Sequence, residues 1–220
     1  MQPRGSSILL LGGSGLVGTA VARRLLTHGP SRLVISGLTR EESEGAVKEL
    51  LPHAGGTKIE AVWGDIFVPA ELAGKPRREI LADPAARRRL VADLLSPTST
   101  SSSENLLYQW LTKFRPDAVV DSINTATAFA YRDVFTSSRE LYAAASAGSV
   151  DLEDVERHLL TLYIPQLIRH VQILMDGLKK AGTQAYVKIG TAGTGGMGFN
   201  IPYTHSEETP SPERSRCSCS

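Results

Sequence analysis

Apolar positions along the chain follow two different periods. Short unbroken apolar runs, bounded by glycine, proline or polar residues, recur as "SSILLLGG", "RLVISGLTR", "KIEAVWGDIF", "PDAVVDSIN" and "QAYVKIGTA". Such runs predict strands buried on both faces. Between them the spacing turns helical. "GLVGTAVARRLLTHG" places Leu16, Val17, Val21, Leu25 and Leu26 on one face and stops at Gly29, and "EESEGAVKELLPH" predicts a helix ended by Pro52. From Asp151 to Ala181 the pattern predicts one long helix, kinked at Pro165 and closed by Gly182 after Lys179 and Lys180. Alternating strands and helices require parallel pairing with right-handed crossovers. The expected fold class is therefore α/β, a doubly wound parallel sheet in three αβα layers.

Residues 70–103 depart from this alternation. "DPAARRRLVADLL" predicts an added helix with Pro84 in its first turn. The Ser/Thr-rich "SPTSTSSSEN" reads as a loop whose Ser103 or Glu104 starts the helix "NLLYQWLTKF". The expected organisation is one domain over 1–208 with an insertion at 70–103, then an irregular tail over 209–220. Arg87–Arg89 reads either as a phosphate-binding patch or as a solvated helix face; the Asp and Glu residues nearby favour the face.

Composition narrows the classes. Of 220 residues, 41% are hydrophobic and 21% charged, with a net charge of +1, which gives no long-range field drawing nucleic acid or anionic membrane. No apolar run approaches the roughly 20 residues needed to span a bilayer. Cys217 and Cys219 form neither a staple nor a four-ligand metal site. A cytoplasmic protein without metal is the expectation.

The first strand runs into "GGSGLVG", with Gly12, Gly15 and Gly18 at its turning points. Gly12 permits the tight exit from the strand, Gly15 lets backbone approach a pyrophosphate, and Gly18 lets the helix pack closely. The helix start then offers N–H groups and a positive dipole end. Gly12, Gly13, Ser14, Gly15, Leu16, Val17 and Gly18 are thus candidate dinucleotide-binding residues. A turn serving only packing is the competing reading.

This spacing resembles the extended and atypical short-chain dehydrogenases/reductases, a Rossmann-like group that includes NAD-dependent epimerases and dehydratases. The resemblance covers roughly residues 6–208. It implies that Asp65 and Ile66 of "WGDIF" contact an adenine, unless Asp65 only caps its loop. It implies that Ser122, Asn124 and Thr125 of "VVDSINTATA" line the cofactor cleft; Asn124 reads equally as a strand-end turn residue. At the ribose, where a NAD site places Asp or Glu after the second strand, "SGLTREE" has no carboxylate ahead of Arg40. Arg40 either pairs with a 2′-phosphate, favouring NADP over NAD, or is a surface residue paired to Glu44.

The family's chemistry is hydride transfer at a hydroxyl or carbonyl carbon, using Ser or Thr, Tyr and Lys. On the resemblance Thr191 takes the Ser/Thr position, with Thr194 as its alternative; a glycine-rich turn explains both hydroxyls as well. No Tyr of the chain has Lys four residues on, and "PSPERSRCSCS" has no helical period. The resemblance therefore implies a C-terminally incomplete sheet with an open edge, which invites pairing into a homodimer. Three functions stand: an oxidoreductase or epimerase/dehydratase type whose catalytic dyad is missing here, a non-catalytic dinucleotide-binding sensor or partner module, or a scaffold that keeps only the fold. The small-molecule substrate is not readable.

Overall fold

β1 (Ser7–Leu11) pairs in parallel with β2 (Arg32–Gly37) on one side and β4 (Ala118–Asp121) on the other, in a computed structural model that describes residues 2–96, 102–124 and 134–190. β3 (Lys58–Trp63) adds beyond β2 and β5 (Ala185–Lys188) beyond β4, also parallel, so the strand order is β3-β2-β1-β4-β5. Ile8, Leu9, Leu10 and Leu11 are all buried, as a central strand covered on both faces requires. The order reverses between β1 and β4, which is the switch point of a doubly wound sheet. The protein is a Rossmann-like α/β fold.

The contacts divide the described chain into two units. The first comprises residues 2–63, 117–124 and 184–190 and holds the whole sheet with two helices, α1 (Leu16–Leu26) and α2 (Arg40–Leu50). Its core gathers Ile8, Leu10, Leu33, Ile35 and Val120 from the sheet with Ala22, Leu26, Ala46 and Leu50 from those helices. Leu16 and Val17, expected on the buried face of α1, are instead 69% and 40% exposed. The small residues Gly18 and Ala22 take the sheet-facing positions, because a helix that packs this closely has no room for larger side chains.

The second unit, residues 64–96, 102–116 and 134–183, is helical. It contains α3 (Arg77–Ala82), α4 (Pro84–Leu95), α5 (Leu106–Phe114), α6 (Val134–Ser146), α7 (Leu152–Leu159) and α8 (Tyr163–Ala181). Val68, Leu72, Ile80, Ala86, Leu90 and Leu160 make one core cluster. α5 and α8 pack closely where Gly177 stands opposite Leu111; a Cβ there would lie 2.6 Å from Leu111 Cδ1.

Three expectations need correction in this unit. The long helix is two, α7 and α8, broken at 160–162 rather than kinked at Pro165. Proline lacks the N–H that an interior turn needs, and as the third residue of α8 it occupies a position whose N–H has no intrahelical acceptor. α5 is capped by Asn105, whose side chain accepts from Leu107 N at 2.9 Å, and not by Ser103 or Glu104. Arg87 is no solvated residue: it is 2% exposed, its Nε donates to Glu156 at 2.7 Å and its Nη2 to Glu153 at 3.1 Å. The Glu156 hydrogen bond leads the effects that raise the Arg87 pKa above its ordinary value. Arg89 pairs with Glu71 at 2.8 Å and also with Glu104.

Candidate functional site

The turn between β1 and α1 is held from three sides within the first unit. From β2, Ser36 Oγ accepts from Gly12 N at 3.1 Å, and the Ser36 carbonyl accepts from Ser14 N at 3.3 Å. From the end of β4, Ser122 Oγ donates to the Leu11 carbonyl at 2.8 Å and to the Gly12 carbonyl at 3.1 Å. From α1 itself, Thr19 Oγ1 donates to the Gly15 carbonyl at 2.9 Å. The chain-reversing bond Gly15 N to Gly12 O is 3.1 Å.

Glycine is required here on two independent grounds. Gly12 has φ +70°, a conformation that side chains rarely adopt, and a Cβ on it would lie 2.9 Å from Ile123 Cγ1. A Cβ on Gly18 would overlap the Gly12 carbonyl oxygen and lie 2.6 Å from Gly13 Cα. α1 thus sits directly on the turn. Neighbouring β2 approaches as closely: a Cβ on Gly37 would come within 2.5 Å of Ser14 Oγ.

The start of α1 is open. Gly15 is its N-cap, no side chain caps it, and its first turn holds no acidic residue. Among the described residues the backbone N–H groups of Leu16, Val17 and Gly18 have no hydrogen-bond acceptor. An array of oriented, unanswered amides at the positive end of a helix is an anion site.

Arg40 is the first residue of α2 and is exposed, as a surface residue paired to Glu44 would be. Its Nη1 lies 3.9 Å from Glu44 Oε1, and its guanidinium stacks 4.4 Å over the ring of Trp63 at the end of β3. The ring face gives the guanidinium a cation–π contact that holds it at the end of β3. The Glu42 carboxylate is occupied in the cap of α2, accepting from Leu38 N and Thr39 N at 3.1 Å each.

The other expected site residues fall in different places. Asp65 Oδ1 accepts from Phe67 N at 2.9 Å, closing its own loop in the second unit. Ile66 is 4% exposed and lines a cavity of about 20 Å³ with Asp93, Asn105, Arg169 and His170. Asn124 is exposed just beyond β4. Thr125, Thr191 and Thr194 lie outside the described residues.

One cluster escaped the sequence reading. Asp121, the last residue of β4, is buried, and its Oδ2 accepts from Tyr186 Oη at 2.8 Å and pairs with Lys188 Nζ at 2.9 Å. Burial, then the charge and hydrogen bond of Asp121, push the Tyr186 pKa well above its ordinary value. The available signal was a carboxylate closing an apolar strand, with Tyr and Lys two apart on the next.

No helix among the described residues is long and apolar enough to cross a membrane, and no three His, Cys, Asp or Glu among them cluster as a metal site.

No family model and no curated protein matches this chain. Solved structures similar to it are short-chain dehydrogenases/reductases and ketoreductases. An A-type ketoreductase from a modular polyketide synthase is 18% identical, with 87% of this chain and 38% of that one covered and a TM-score of 0.36. A short-chain dehydrogenase/reductase from Serratia marcescens is 15% identical over 80% of this chain and 52% of that one, TM-score 0.35. One from Mycobacterium ulcerans is 16% identical over 86% and 90%, TM-score 0.35. The chain therefore spans 38% and 52% of the first two structures. Likenesses at this level decide nothing about activity, and the fold rests on the strand order itself.

Proposed function

We propose that this protein binds a nicotinamide dinucleotide, its pyrophosphate on the turn after β1, with NADP favoured over NAD. The observation that carries the reading is the start of α1, where three consecutive amides lack acceptors among the described residues, on a turn with no room for a Cβ at Gly12 or Gly18. Those residues fit a pyrophosphate: backbone donors surround the anion, and Gly15 removes the side chain that would block it. Arg40, anchored on Trp63, supplies the cation for a 2′-phosphate, and the ribose side of β2 offers Gly37 in place of a carboxylate. Ser122 supports the turn from β4, and Asn124 and Thr125 are the residues proposed for the nicotinamide end.

When bound, the nicotinamide supplies a hydride donor or acceptor, and Thr191 is the hydroxyl proposed to polarise a carbonyl beside it. A second reading, binding without turnover, is favoured by Tyr186. Its phenol is tied to Asp121 and holds its proton more firmly than a free tyrosine does. It is thus the opposite of a base poised near neutral pH. A second copy of the chain is the proposed protein partner, along β5, which has one strand neighbour among the described residues and an exposed Val187.

Titration calorimetry with NADPH and NADH tests the central claim. The expected result is saturable heat from both nucleotides, with NADPH the tighter. Absence of heat from either removes the reading. Assays of ketone reduction then separate the enzyme from the sensor, and no turnover is expected.

A further inference from the structure

The second unit holds a cavity of about 320 Å³ that dinucleotide binding does not use. Its walls come from α3, α6, α7 and the turn ahead of α8, with Leu81, Leu141 and Leu160 making it mainly apolar. Arg77 and Glu140 add charges of opposite sign. The volume lies at the low end of the ~300–1,000 Å³ typical of small-ligand pockets, room for one amino-acid-sized molecule. Ser137 Oγ, 2.9 Å from His158 Nδ1, ties α6 to α7 at its side.

Of the two arginines that line the cavity, Arg77 is the one without an ion pair among the described residues. Its Nη2 donates to the Leu160 carbonyl at 3.1 Å, and no carboxylate among the described residues lies within ion-pair distance of it. A guanidinium carries five N–H donors, and withdrawing one from water is costly unless charge and hydrogen bonds replace the water. Burial accordingly lowers the Arg77 pKa from its ordinary value, against a smaller opposing effect from Asp65.

The unit's other buried arginines each have an ion pair. Arg87 is held by Glu156 and Glu153, and Arg169 by Asp93 at 3.3 Å. On the cavity wall itself, Arg157 pairs with Glu153 at 2.6 Å, and Asp154 is engaged in capping α7. Glu140 stands with Arg77: it has no hydrogen bond or ion pair among the described residues.

We propose that this cavity binds a small zwitterion, an α-amino acid with an apolar side chain. The carboxylate pairs with Arg77, the ammonium faces Glu140, and the side chain lies against Leu81, Leu141 and Leu160. This gives an ion-pair partner to one cation and one carboxylate that line the same apolar cavity and have none among the described residues. The site is independent of the dinucleotide, so either can fail alone.

Calorimetry on the full chain with L-leucine and L-phenylalanine tests it, against leucinamide, which lacks the carboxylate, and 4-methylpentanoate, which lacks the ammonium. The expected result is saturable binding of at least one amino acid and roughly tenfold or greater weakening for each analogue, as loss of a charged hydrogen-bonded partner predicts. Arg77→Gln should weaken binding by a similar factor. Leu141→Trp, which fills the cavity and leaves both charges in place, should abolish it and serves if the first variant fails to fold. No heat from either amino acid, equal binding of 4-methylpentanoate, or binding that survives Leu141→Trp overturns the proposal.

Discussion

α1 and α2 both start just beyond the ends of neighbouring parallel strands, and their first turns are finished in opposite ways. At α2 the Thr39 side chain accepts from Glu42 N while the Glu42 side chain accepts from Thr39 N, and Glu41 and Glu42 add negative charge to the first turn. At α1 the N-cap is a glycine, the first turn contains no acidic residue, and no side chain caps it. A cap contributes about 1 kcal/mol to a helix, so α1 begins with a deficit that α2 does not have. One helix satisfies its dipole internally and, in the proposed function, lends the dinucleotide a side chain, Arg40. The other leaves its first amides without an acceptor among the described residues. Open backbone and offered side chain are complementary ways for adjacent βα turns to hold two parts of one anionic ligand.

Exchanging these features should break the comparison, and the largest effect belongs to Gly18→Val. Its side chain would drive α1 off the turn, so NADPH titration should show no detectable binding, and denaturant unfolding a loss of about 1–3 kcal/mol. Gly15→Asp gives α1 the cap that α2 has. Gly15 has φ −75° and ψ 169°, open to any residue, so the helix should gain about 0.5–1 kcal/mol in chemical unfolding. The same carboxylate should weaken NADPH binding by on the order of 100-fold through repulsion of the pyrophosphate. A tighter complex with this variant would show that the phosphates lie elsewhere.

Arg40→Ala sharpens the division of labour. NADPH affinity measured by fluorescence should fall roughly tenfold while NADH affinity stays unchanged, because only one of the two carries the 2′-phosphate. Equal losses for both would assign Arg40 to the shared part of the ligand. Thr39→Ala is the smallest change: unfolding should register a loss of about 1 kcal/mol with both nucleotide affinities intact.

How far these features were legible in the sequence depended on how local their causes are. The first strand, the glycine turn and the bounds of α1 could be read directly, since chain reversal and close packing are dictated by residues within one βα unit. The face that α1 buries could not. Leu16 and Val17 look like core residues by period, and only the contact of Gly18 with the turn shows why the helix turns its small side to the sheet. Arg87 was misread for a longer-range reason. Three consecutive arginines look alike in one dimension, and the carboxylate that draws the first inward stands 69 residues later. The Asp121–Tyr186–Lys188 cluster depends on which strand lies beside β4, a fact carried by topology and by no single segment.

The same Arg87 changes what residues 70–95 are. A helix that merely decorated the surface would be dispensable, and a shortened chain would fold around the gap. Here α4 carries the cation that answers the Glu156 carboxylate, itself 4% exposed, and replacing Arg87 alone would leave that acid buried without its nearest counter-ion. Natural or engineered versions that lose Arg87 should therefore also have lost the acid at position 156, so that the two positions change together.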